Sequence, residues 1–79
     1  MTLSGVRDGA IIKRLPGETQ AAVALQTNGG EGRRWWFING APTDNTGSNI
    51  TLSLDKTGEY QLVVMDEAGQ VAAATFTLQ

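Results

Sequence analysis

Arg33-Arg34-Trp35-Trp36-Phe37-Ile38-Asn39-Gly40 and Gly58-Glu59-Tyr60-Gln61-Leu62-Val63-Val64-Met65-Asp66-Glu67-Ala68-Gly69 decide the fold class of this chain. The first gathers both tryptophans and one of the two phenylalanines into a strand-length run and closes on Asn-Gly, a strong short-range hairpin signal. The second alternates large apolar with other residues through a strand and then turns. Together they predict an antiparallel β-sandwich with an aromatic strand at its centre.

Working outward, strand signals recur about every ten residues with turn chemistry between them, the spacing of a sandwich or barrel. Leu3–Val6 opens, Asp8-Gly9 breaks it, and Ala10–Leu15 resumes it up to the Pro16-Gly17 turn. Thr19–Thr27 follows, with Ala21, Val23 and Leu25 on one face. Overlapping it, Glu18–Gln26 has the composition closest to a helix, but it lacks a 3.6-residue apolar stripe and is flanked by turns. Asn28–Gly32 is a glycine-rich connection into the aromatic strand Arg33–Asn39. Ala41–Ser48 reads as loop or weak edge strand, because Pro42 and Gly47 argue against a central position. Asn49–Leu54 alternates, with Ile50, Leu52 and Leu54 inward. Glu59–Asp66 places Tyr60, Leu62 and Val64 on one face, and Glu67-Ala68-Gly69 turns onto Gln70–Leu78. In the aromatic strand, Trp36 and Ile38 are expected inward and Trp35, Phe37 and Asn39 outward. The predicted core is Trp36, Ile38, Leu52, Tyr60, Leu62, Val64 and Phe76.

Composition removes several functions. The 79 residues suffice for one domain, and residues 1–79 are read as a single one. A chain this short buries only about 60–65% of its unfolded surface. With no cysteine it has neither a disulfide nor a thiolate metal site. Six basic against eight acidic residues give a net charge of −2, which does not suit nucleic-acid binding. No apolar run approaches the ~18 residues of a membrane span, so no direct membrane insertion is expected.

Arg34-Trp35-Trp36-Phe37-Ile38-Asn39-Gly40, followed by Gly58-x-Tyr60-x-Leu62-x-Val64-x-Asp66-x-x-Gly69 with Val71 and Phe76, resembles the C-terminal domain of bifunctional (class A) penicillin-binding proteins of the 1C type. Leu3–Ile12, with Asp8-Gly9 inside it, fits that domain's first strand; Val6 departs from the family, which often has a proline there. The resemblance implies an immunoglobulin-like sandwich of about seven strands. It also implies a place after the glycosyltransferase and transpeptidase domains of a membrane-anchored, periplasmic peptidoglycan synthase. Neither catalytic domain lies in this sequence, so the implied role is a non-catalytic accessory or interaction domain, without cofactor. The implied partners are the parent's transpeptidase domain, another periplasmic protein, or peptidoglycan.

The residues that could do chemistry have plainer readings. Ser53-Leu54-Asp55-Lys56-Thr57-Gly58 matches both Ser-x-x-Lys and Lys-Thr-Gly of penicillin-binding transpeptidases. In those enzymes the two motifs use different lysines and the first opens a helix, whereas here one lysine would serve both at a strand end. Asp66-Glu67 is read as solvated charge in a hairpin turn. With no histidine, the commonest neutral-pH base is missing. Asn28–Gly32 lacks the lysine and strand–loop–helix setting of a phosphate loop. Asp44–Asn49 has alternating oxygen ligands without the distal bidentate glutamate of a calcium loop, so no metal site is assigned. Asn49-Ile50-Thr51 is formally a glycosylation sequon. Tyr60, just after Gly58, is placed like the tyrosine corner of sandwich folds. The candidate interaction face is Arg33, Arg34, Trp35 and Phe37, because Trp and Arg are enriched at interface hot spots. It would serve a protein partner or, alternatively, stack on sugar rings; the competing reading is that a neighbouring loop covers Trp35.

Overall fold

The computed structural model describes residues 1–79 and is all-β, with eight strands. They are β1 (Thr2–Ser4), β2 (Ala10–Ile12), β3 (Ala21–Asn28), β4 (Arg34–Ile38), β5 (Ala41–Pro42), β6 (Asn49–Leu54), β7 (Gly58–Asp66) and β8 (Val71–Leu78). A three-stranded sheet, β1-β3-β6, faces a five-stranded sheet, β2-β8-β7-β4-β5. Every pairing is antiparallel except β2 with β8, which is parallel. The strand order is compatible with the immunoglobulin-type arrangement that the resemblance implies.

Alternation builds the core. Along β3 buried and exposed residues alternate without a break, which puts Ala21, Val23, Leu25 and Thr27 inward. Leu52 and Leu54 of β6 join them from the same sheet, and Trp36, Leu62, Val64, Phe76 and Leu78 answer from the other. Of the predicted core, Trp36, Leu52, Leu62, Val64 and Phe76 are buried, while Ile38 and Tyr60 are half-buried against the cluster. Tyr60 stacks on Phe76 with ring centroids 5.5 Å apart, and its hydroxyl donates to the Lys56 carbonyl at 2.6 Å. That bond ties the turn before β7 to the strand it feeds. The Trp36 indole Nε1–H donates to the Gly47 carbonyl at 2.9 Å, holding the 43–48 crossover against the core.

Three features of the topology differ from the sequence reading. The chain does not resume the same strand after Asp8-Gly9: β1 pairs with β3, whereas β2 crosses to β8 of the other sheet. Gly5 makes the departure possible. Its φ is +103°, and a Cβ there would lie 2.1 Å from the Ala24 carbonyl oxygen. The strands are also shorter than expected at β2 and begin later at β3, since Pro16-Gly17 and the residues after it stay outside the ladders. Finally β7, not the aromatic strand, is the centre of its sheet; β4 lies next to the edge, covered only by two-residue β5. The Asn39-Gly40 turn makes that hairpin, with φ of 51° and 82°, both positive as a type I′ turn requires.

Candidate functional site

The outer faces of the two sheets carry opposite chemistry. On the three-stranded sheet the outward residues are Thr2, Ser4, Ala22, Ala24, Gln26, Asn28, Asn49, Thr51 and Ser53, all small or neutral polar. On the five-stranded sheet, the half of the outer face built by Trp35, Phe37, Val63, Met65 and Val71 is large and apolar.

Strand register lays this apolar face out in rows. Trp35 sits opposite Met65, and Met65 opposite Val71. In the next row Phe37 lies between Pro42 on one side and Val63 on the other, with Ala73 beyond Val63. Trp35 is 38% and Val71 57% exposed, while Phe37, Met65 and Val63 are half-buried by one another. Arg33, exposed, precedes β4 and shares the parity of Trp35. Beyond the second row the face becomes polar at Gln61 and Thr75. The result is a contiguous apolar patch with a polar border, the surface form that marks interaction sites on soluble proteins.

Of the four residues expected on this face, Trp35 and Phe37 lie there by register, Trp35 with 38% of its surface exposed, and Arg33, exposed, precedes β4 at the same parity. Arg34 does not lie there. It is 6% exposed and points inward with Trp36, as strand alternation requires of residues two apart. Its Nε donates to Thr27 Oγ1 at 3.1 Å, and its Nη groups donate to the carbonyls of Gly32 and Gly29. Asp66, its cross-strand neighbour on β7, is likewise buried and not a solvated turn charge. The Asp66 carboxylate accepts the backbone N–H of Gln70 at 2.7 Å and of Glu31 at 3.0 Å. Burial alone would raise its pKa. The N–H groups of Gln70, Glu31 and Ala68, with the Arg34 charge, outweigh that and hold it below the ordinary 3.8.

The glycine connection is thus a wrapper for a buried charge cluster. Gly30, with φ of +84°, runs between the two groups, and a Cβ there would lie 3.1 Å from both Arg34 Nη2 and Asp66 Oδ2. This cluster fixes the end of β4 from which Arg33 and Trp35 project outward.

The residues missed in sequence are Val63, Met65, Val71 and Ala73. The signal was present in Leu62-Val63-Val64-Met65: a run apolar at both parities means a strand apolar on both faces. The other motifs are dispersed. Ser53 sits on the small polar face, and Lys56 lies in the turn, its carbonyl taken by Tyr60. In the 43–48 crossover, Thr43 Oγ1 accepts from both the backbone N–H and the side-chain amide of Asn45. No three Asp or Glu side chains gather anywhere as a metal site would require. No helix is long and apolar enough to cross a membrane.

Comparison with known proteins agrees with the resemblance. The Penicillin-Binding Protein C-terminus Family matches residues 1–76. Over 79 residues the chain is 56% identical to penicillin-binding protein 1C of Escherichia coli (strain K12). That alignment covers 100% of this chain and 10% of the relative, so the chain spans about a tenth of the length of the curated protein it matches. No solved structure matches.

Proposed function

This chain belongs to the penicillin-binding protein C-terminus family, and from that premise we propose that it is a non-catalytic docking domain of a periplasmic peptidoglycan synthase. Its outer five-stranded face seats it on the catalytic part of its own polypeptide. The observation that carries this reading is the patch of Trp35, Phe37, Val63, Met65 and Val71, an apolar surface whose exposure costs solubility unless something covers it. A relative about ten times as long offers a tethered surface. A short flexible linker holds such a surface at an effective concentration of order millimolar, so even a modest patch is occupied. Trp35 is the natural anchor, since buried tryptophan dominates interface energetics, and Arg33 at its end adds a charged contact at the rim.

The non-catalytic part of the reading rests on where the candidate groups lie. Ser53 has no base beside it in the hydrogen-bond network, and the Asp66 carboxylate is occupied by backbone N–H groups. A sugar-binding role for the same face is the weaker alternative. Trp35 can stack on a ring, but its row neighbours Met65 and Val71, and Val63 and Ala73 beside them, offer no donors or acceptors to sugar hydroxyls.

The test adds this chain in trans to a synthase of the family truncated of its C-terminal tenth. Wild type is expected to bind, and Trp35→Ser with Met65→Ser to lose at least tenfold in affinity while remaining folded. Equal binding by the double variant contradicts the docking face. Soluble muropeptides that shift the Trp35 and Arg33 resonances, with no binding to the truncated synthase, would favour the sugar reading instead.

A further inference from the structure

The free edge of β6 leaves a useful length of backbone unpaired. β6 ends the three-stranded sheet and pairs only with β3. The Thr27 N–H donates to the Ser48 carbonyl at 2.8 Å, so Thr27/Ser48 is a hydrogen-bonded pair of this antiparallel ladder. Alternating from it, Ile50, Leu52 and Leu54 turn their amides toward β3. Asn49, Thr51 and Ser53 therefore turn theirs outward, away from β3. No loop backbone bond reaches these three residues, and no side chain bonds to them.

Native sheets blunt such edges with brevity, proline, charge or bulges. The other edges here follow that rule: β1 and β2 have three residues each, and β5 has two, one of them Pro42. β6 has six residues without proline, glycine or charge.

We propose that β6 pairs antiparallel with β6 of a second copy of this chain, about a two-fold axis through Thr51. The strand is self-complementary in that register. Thr51 faces Thr51 of the other copy, and Asn49 faces Ser53, so the outward amides of all three find partners. On the outer face the side-chain pairs are hydroxyl with hydroxyl and amide with hydroxyl, with no like charges opposed. On the inner face Ile50, half-buried at the open edge of the core, comes opposite Leu52 of the second copy. The pairing joins the two polar sheets into one continuous sheet and leaves the apolar faces of both copies free. It uses a different sheet from the docking face and stands independently of it.

A cysteine-free chain makes the register testable. Bonded antiparallel partners have Cα atoms about 5.5 Å apart, within the span of a disulfide. Under mild oxidation, the Thr51→Cys chain is expected to form a covalent dimer at least tenfold faster than Ser53→Cys, whose counterpart is residue 49. An equimolar mixture of Asn49→Cys and Ser53→Cys restores the fast rate. In sedimentation, wild type is expected to move toward twice its mass as concentration rises. Thr51→Lys, with like charges face to face, stays at the monomer mass with an unchanged far-UV circular dichroism spectrum. Equal cross-linking of Thr51→Cys and Ser53→Cys overturns the register. A wild type that stays monomeric at millimolar concentration, with Thr51→Cys uncrosslinked, overturns the self-pairing and leaves the edge to another chain's strand.

Discussion

The two faces of β4, taken with Arg33 just before it, carry the same kinds of residue, arginine and aromatic, and hold them in opposite ways. Inward, Arg34 and Trp36 have their polar atoms consumed by the Gly29, Gly32 and Gly47 carbonyls and Thr27 Oγ1, and both are buried. Outward, Arg33 and Trp35 have no side-chain hydrogen bonds within the chain, and Trp35 lies open beside Met65. The inward set is explained by folding alone. The outward set adds apolar surface that folding does not bury, and it is this excess that points to a partner.

The sharpest way to break that contrast is to truncate the two tryptophans separately. Trp36→Ala removes the largest buried side chain, which costs about 3–5 kcal/mol. Against a total stability of about 5–15 kcal/mol for a typical domain, and less for so small a chain, the variant is expected to be largely unfolded in thermal or urea denaturation. Trp35→Ala is expected to cost about 1 kcal/mol or less. Comparable losses at both positions would erase the distinction between the faces.

A smaller effect is expected from the charge cluster that anchors the inward face. The Asp66 pKa is depressed on folding, so its contribution is fully present above the ordinary 3.8 and lost as pH falls through the folded value. Asp66→Asn replaces one acceptor oxygen with a donor facing the Glu31 or Gln70 N–H. The variant should therefore be less stable than wild type near neutral pH, and the gap should narrow as pH falls below the ordinary 3.8 through the lower folded value. A gap independent of pH would mean that the carboxylate charge plays no part.

The division between what sequence reveals and what it hides follows the range of the interactions. The strands, their turns and the inward set Trp36, Leu62, Val64 and Phe76 were legible, because alternation and turn chemistry are local. Arg34 is expected on the outer face because arginine and tryptophan are enriched at interface hot spots; parity with Trp36 argues the reverse, but the carbonyls that satisfy it come from a loop whose path only the tertiary fold fixes. Asp66 was hidden for the same reason, its partners being backbone groups of Glu31 and Gln70. The shift of the opening segment from one sheet to the other depends on Gly5 passing close to Ala24, a contact with no sequence signature. Most of the apolar face is hidden in sequence because Val63 and Met65 lie between the inward residues of β7, and Val71 and Ala73 join them only through the β7–β8 register.

The most direct measurement is an amide chemical-shift map of this chain titrated with the catalytic portion of a synthase of its family. Perturbations are expected to gather at Trp35, Phe37, Val63, Met65, Val71 and Ala73, and to leave Ala22, Ala24 and Gln26 on the opposite sheet unmoved. Shifts confined to that opposite sheet, or no shifts at saturating concentration, would contradict the account.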